Sequence, residues 1–291
     1  MLAHIKDIVG DAMKHKYALG AFNIHGIESA LGVAHAAEAA KSPAIIQVSE
    51  STIEYMGLKP ITHIVSTVAK NIAPRVPIAL HLDHGKSLDS IFECINAGFS
   101  SVHIDASHLP LDENIALTKQ VVAMAHRKGV WVQGEIGSII GGHGKIGGKI
   151  KGIPMADPDE VIEFVRATKV DTIAAAIGTA HGVFTNEDID MKILRKIKKA
   201  IKIPFVLHGG SGVKVETIKK SIKEGVNIIN IGSDIKIAFS RTLIKNCLAN
   251  KRETDPRKLL KPTIDAVQKV AMEQMVIFGS INRVNMDDIE T

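Results

Sequence analysis

The sequence predicts an α/β protein built as one closed (β/α)8 barrel, the TIM-barrel arrangement, with additional C-terminal helices. Eight short β-rich segments alternate with amphipathic helical patterns along the 291 residues. Those segments are mostly apolar and flanked by helices on both sides, as strands of a buried parallel sheet are. Gly98, Gly129 and Gly225 each stand just past a helical pattern and just before a strand, the position of a helix-ending glycine. An open doubly wound sheet is the second choice, but no GxGxxG follows the first strand.

In chain order the expected strands are Ala18–Phe22, Ala44–Val48, Ile78–Leu82, Ser101–Ile104, Val130–Gly134, Thr172–Ala176, Ile203–Leu207 and Asn227–Ile231. Helical spacing covers Glu28–Lys41, Leu88–Ala97, Glu113–Lys128, Glu160–Ala167 and Glu216–Glu224. Asp157-Pro158-Asp159-Glu160 supplies a capping side chain, a proline at the first helical position and early carboxylates. Gly134–Gly152 carries eight glycines and no strong period, so a mobile lid is expected there. Asp255–Phe278 is an extra helical stretch that either caps the barrel or builds an oligomer contact. No linker divides the chain: residues 1–291 read as one barrel domain, with 250–291 as its helical extension.

Composition narrows the function classes. Apolar residues make up 45% and charged residues 23%, a globular balance rather than a disordered one. The net charge of +5 comes largely from lysines at helical spacing in residues 192–202 and 214–223. Without interleaved aromatics these are solvated helix faces, not a nucleic-acid surface. No apolar run approaches the roughly 20 residues that span a bilayer, and Met1 to Lys14 lacks a signal-peptide core. Cys94 and Cys247 fall in helical patterns and read as buried thiols, which points to the cytoplasm.

The chemistry collects at the carboxyl ends of the strands, the face where barrels keep their active sites. The run Ile78–Leu82 ends in Asp83-His84-Gly85; Asp105 ends the fourth strand and Glu135 follows the fifth. His181 comes shortly after the sixth, and His208 ends the seventh. A hydrogen-bonded turn is the simpler account of any single histidine; three at matching positions favour a shared zinc ion with room for substrate. Asp105 and Glu135 are either ligands of a second cation or partners that orient the histidines. Gly209-Gly210-Ser211-Gly212 and Asn230-Ile231-Gly232-Ser233 offer backbone N–H groups where barrels commonly hold phosphate.

These residues resemble the class II, metal-dependent ketose-bisphosphate aldolases, the subgroup acting on fructose and tagatose bisphosphates. The matching stretches include Ala21-Phe22-Asn23-Ile24, Ser42 to Ser49, His81-Leu82-Asp83-His84-Gly85, Ile104 to His108, Ala175 to Gly182, Leu207 to Gly212, Asn230 to Phe239, Asp255-Pro256-Arg257 and Phe278-Gly279-Ser280. The likeness spans nearly the whole chain. It implies that His84, His181 and His208 hold a catalytic Zn2+, with Asp105 and Glu135 on a further divalent or monovalent cation. It implies that Asp83 exchanges the C4-hydroxyl proton. Asn23, Ser49, Gly182, Gly209, Gly210, Ser211, Asn230, Ile231, Gly232, Ser233 and Arg257 are then the residues on substrate.

The implied reaction is reversible cleavage of fructose 1,6-bisphosphate into dihydroxyacetone phosphate and glyceraldehyde 3-phosphate through a metal-stabilised enediolate. Partners are then a small phosphorylated sugar, no nucleic acid, no membrane, and further copies of the chain in a homodimer or homotetramer. Two departures stand out: His143 occupies the lid position where the family carries a glutamate, and Gln133 replaces a glutamate two residues before Glu135. A histidine can relay the same proton, so His143 is expected to substitute. Rival readings are an aldolase for tagatose bisphosphate or another phosphorylated sugar, and a non-catalytic aldolase-like partner subunit. A barrel metal hydrolase comes last, since His81 and Asp83 stand where an early His-x-His pair would be needed.

Overall fold

In the computed structural model the described residues are 1–284, and the side chains of 142–145 lie outside that description. The strands are β1 (Leu19–Asn23), β2 (Ala44–Ser49), β3 (Ile78–Gly85), β4 (Ser101–Ile104), β5 (Trp131–Ile136), β6 (Gly141–Ile146), β7 (Thr172–Ala175), β8 (His181–Val183), β9 (Phe205–Leu207) and β10 (Val226–Ile231). The helices are α1 (Ile5–His15), α2 (Ile27–Ala40), α3 (Glu50–Met56), α4 (Leu58–Asn71), α5 (Leu88–Asn96), α6 (Leu111–His126), α7 (Pro158–Thr168), α8 (Met191–Ala200), α9 (Val215–Lys223), α10 (Ser233–Ala249) and α11 (Pro256–Phe278). Among the described residues a parallel barrel closes in the order β1-β2-β3-β4-β5-β7-β9-β10. Each of the eight β-rich segments of the sequence lies in that barrel. β6 and β8 form a separate two-stranded sheet above it.

Side chains on a strand alternate between faces, and along this barrel the inward set changes character from floor to rim. Leu19, Ala21, Ile45, Ala79, Ala174, Val206 and Ile228 form an apolar plug with Ile5, Ile8, Val9 and Ala12 of α1. One alternation further along the same strands come Asn23, Gln47, His81, His208 and Asn230, all buried. Helix α1 therefore seals the amino-terminal mouth, and the polar layer opens only at the carboxyl-terminal one. The sequence reading assigned no element to this amino-terminal segment.

Three further differences from the sequence reading have local causes. The glycine-rich run is not wholly irregular: β6 within it pairs with β8, the strand that carries His181. The last helix does not cap the barrel mouth. Helix α11 lies along α2 and α10 on the outside, brought close because Gly32 has no side chain; a Cβ there would stand 2.7 Å from Val267. Cys94 is buried as expected, whereas Cys247 is exposed on α10. Helical spacing alone does not tell which face of that helix is covered.

Candidate metal centre and active site

The site starts from an irregularity in β3. Its pairing with β4 shifts between Leu82 and Gly85, and His84 takes a left-handed backbone conformation, φ +50°. Such a conformation is costly for a residue with a side chain and persists where the surroundings enforce it. The bulge brings His84 and Asp83 to one place: His84 Nε2 lies 3.8 Å from Asp83 Oδ1. On its other edge His84 Nδ1 donates to Asp105 Oδ2 at 2.7 Å, which leaves Nε2 as the nitrogen that an ion could take in exchange for its proton. That Nε2 is buried without a hydrogen-bond partner among the described residues, an arrangement that suits a cation better than a void.

Four imidazoles surround this point. The His84 ring centre is 4.7 Å from that of His103, 5.0 Å from His181 and 4.8 Å from His208. The His181 and His208 rings are 5.8 Å apart. Three imidazoles on one tetrahedral zinc, with metal–nitrogen bonds of about 2.0–2.1 Å, would have ring centres about 5 Å apart. The rings therefore stand close enough to share an ion. Nitrogen and oxygen atoms of Asp83, His84, His103 and His208 fall within 4.8 Å of one another, as do those of His84, Asp105 and Glu135.

The cluster is strongly polarised. Burial would lower the His84 pKa, but Asp83, the Asp105 hydrogen bond and Glu135 outweigh it and push the imidazole up to about 10. Burial alone would raise Asp83, yet His84 and the Asn23 hydrogen bond pull it down to about 2. Burial and the charge of Asp105 raise Glu135 to about 8. Burial and the nearby His84 push His103 down to about 3. His208 is likewise held well below its ordinary value by burial and by its histidine neighbours.

A relay of amides fixes the orientation of these groups. Gln47 Nε2 donates to Asn23 Oδ1, and Asn23 Nδ2 donates to Asp83 Oδ2, each at 2.7 Å. The Gln133 amide lies 2.8 Å from His208 Nε2. Thr179 Oγ1 donates to the His208 carbonyl at 2.6 Å. Ser107 Oγ bridges Asp105 Oδ1 at 2.7 Å and Glu135 Oε1 at 3.2 Å. The segment that carries His181 is clamped by Glu187, whose carboxylate accepts from the backbone N–H groups of Ala180 and Phe184.

Beside Asp83 a narrow pocket is lined by Asn23, His181, Gly182, Gly209, Ser211, Asn230, Gly232 and Ser233. Gly209 sits at φ +67°, and a Cβ there would lie 2.3 Å from the Ala180 carbonyl oxygen. The two glycine-bearing turns and the start of α10 thus converge on this space, as an anion site needs. Gly210 and Ile231 belong to the same turns but do not line the cavity; a Cβ on Gly210 would meet Ile229. Ser49 is the register partner of Asp83 and stays within the rim, its hydroxyl 2.9 Å from that of Ser51. Arg257 is not brought to the cavity. It begins α11 with its side chain 90% exposed and paired to Asp255. The His143 side chain lies outside the described residues.

Sequence reading missed His103, Gln47 and Glu187. His103 sits two residues before Asp105 in a four-residue strand, and that alternation was the available signal.

Comparison with known proteins finds similarity along nearly the whole chain. The family model described as fructose-bisphosphate aldolase class-II matches residues 3–283. The chain is 38% identical over 281 residues to the fructose-bisphosphate aldolase of Geobacillus stearothermophilus, covering 96% of this chain and 97% of that one. It is 37% identical over 281 residues to the 6-phospho-5-dehydro-2-deoxy-D-gluconate aldolase of Bacillus subtilis (strain 168), covering 96% of each. Among solved structures the YdjI aldolase from Escherichia coli K12 superposes with a TM-score of 0.83 at 30% identity, covering 98% of this chain and all of that one.

Proposed function

The chain belongs to the class-II fructose-bisphosphate aldolase family, and from that premise we propose that it cleaves fructose 1,6-bisphosphate reversibly with a zinc ion held by His84, His181 and His208. The observation behind this reading is the ring cluster: three imidazoles from separate parts of the chain meet over Asp83 at the edge of the cavity. The family is metal-dependent, and the unpartnered Nε2 of His84 fits a cation. A divalent ion bound there supplies the electron sink that a lysine Schiff base provides in other aldolases.

The chain's own groups do the remaining work. Asp83, kept ionised by His84 and fixed by Asn23, removes the C4-hydroxyl proton as the C3–C4 bond breaks. The backbone of Gly182, Gly209, Ser211, Gly232 and Ser233 holds the phosphate beside the ketone. Asp105 orients His84 through Nδ1, so we read it as a partner of the ligand rather than a ligand of a second ion. His143, which the sequence places within β6, is our candidate for returning a proton to carbon. If His143→Ala exchanges the C1 proton of dihydroxyacetone phosphate as fast as the parent, that role is wrong.

A second reading rests on the Bacillus subtilis relative, 37% identical against 38% for the Geobacillus stearothermophilus fructose-bisphosphate aldolase. Both named substrates present a ketone next to a phosphorylated carbon, and they differ at the far end. The test is metal analysis together with cleavage of fructose 1,6-bisphosphate, tagatose 1,6-bisphosphate and the 6-phospho-5-dehydro-2-deoxy acid, with and without a chelator. Chelator-sensitive turnover fastest on fructose bisphosphate supports the proposal. A preference for the acid replaces the substrate, and no turnover on any of the three rejects the reading.

A further inference from the structure

The bulge that turns His84 into the barrel mouth strands a backbone donor. β3 pairs with β4 through Leu82 and Val102, then resumes at Gly85 and Ile104, so the His84 N–H falls in the gap of the ladder. A buried N–H with no acceptor is destabilising. Here a side chain takes it: His84 N–H donates to His103 Nδ1 at 3.2 Å. His103 is fully buried in β4, and its ring centre lies 4.7 Å from that of His84.

We propose that His103 is a positioning residue for the metal ligand His84, accepting the amide of the bulge and so holding residue 84 in the left-handed conformation that aims its Nε2 at the ion. This rests on the reading of His84 as a ligand given above. A ring nitrogen that accepts an N–H carries a lone pair, so neutral His103 bears its proton on Nε2. That N–H faces Glu135 Oε2, 3.6 Å away. His103 thereby ties β4 to β3, with its Nε2 beside β5 but not hydrogen-bonded to it. The same geometry argues against His103 as a fourth ligand, although its ring stands among the others. Coordination through Nε2 would move the proton to Nδ1 and set two N–H groups against each other across 3.2 Å.

Two measurements on the full chain test this. In ¹⁵N-histidine spectra, His103 is expected to show an unprotonated Nδ1 and a protonated Nε2, both metal-free and with Zn2+ added. A metal-bound Nε2, or a protonated Nδ1 in the metal-free chain, overturns the proposal. The second is Zn2+ affinity by competition with a chromogenic chelator. His103→Asn keeps an acceptor near the Nδ1 position and is expected to stay within a few-fold of the parent. His103→Leu has no acceptor and is expected to lose about 10–100-fold. Equal losses in both variants, or none in either, overturn the proposal. If His103→Leu does not fold, the tautomer and the asparagine variant still decide. A parent chain that binds no Zn2+ rejects the function proposed above, and the metal-free spectrum still reports on the His103–His84 hydrogen bond.

Discussion

Asp83 is almost wholly buried and still held ionised, because His84, the Asn23 hydrogen bond, His103 and His81 together outweigh the cost of burying its charge. A proton acceptor is needed there only if chemistry happens beside it. Asp83→Asn is therefore expected to lower kcat by about 10²–10⁴-fold with metal content unchanged. Metal analysis beside the kinetics checks this, and loss of the ion would make Asp83 a ligand instead. His84 sets a second expectation. In the metal-free chain its imidazole is raised from 6.5 to about 10, so it is protonated at neutral pH and an incoming ion must displace that proton. Zn2+ affinity should rise with pH across this window, with at least one proton released per ion. Calorimetry in buffers of different protonation enthalpy measures the number, and pH-independent affinity would contradict it. The sign for stability is opposite. The protonated imidazole stabilises the metal-free fold fully below about pH 6.5, and this contribution fades as pH approaches 10.

Among the elements, the contact between α2 and α11 is set by one missing side chain. At Gly32 an added Cβ would lie 2.7 Å from Val267 and 2.8 Å from the Ile264 carbonyl oxygen. Gly32→Ala gains helix propensity, worth up to about 1 kcal/mol, but overpacking of this kind costs about 1–3 kcal/mol. A net loss of stability is expected, read as a lower urea midpoint, with Zn2+ affinity unchanged because the contact lies outside the barrel. The strands and most helices were legible because period and punctuation are local properties. Which face each helix covers was not legible, as exposed Cys247 shows. Helix α1 was also missed, since its amphipathic pattern makes sense only against the barrel floor that it seals.

For the molecule as a whole, the ion would tie β8 to the ends of β3 and β9. A ligand that binds only the folded chain stabilises it by about 4 kcal/mol at a thousandfold excess over Kd. Removing the metal with a chelator should lower Tm, and adding Zn2+ should restore it. An unchanged melting curve would count against a shared ion. The sequence by itself determined the order of the eight barrel strands and set three histidines at their carboxyl-terminal rim, because each follows its own β-rich segment and a closed barrel has one carboxyl-terminal mouth. Only the tertiary structure decided which side chains touch. It put His103 under the cluster, Asp105 on His84 and Glu187 beneath the His181 segment, and it left Arg257 outside. Those contacts depend on a strand bulge, on register between neighbours and on side chains meeting across the barrel, none of which has a period in the chain.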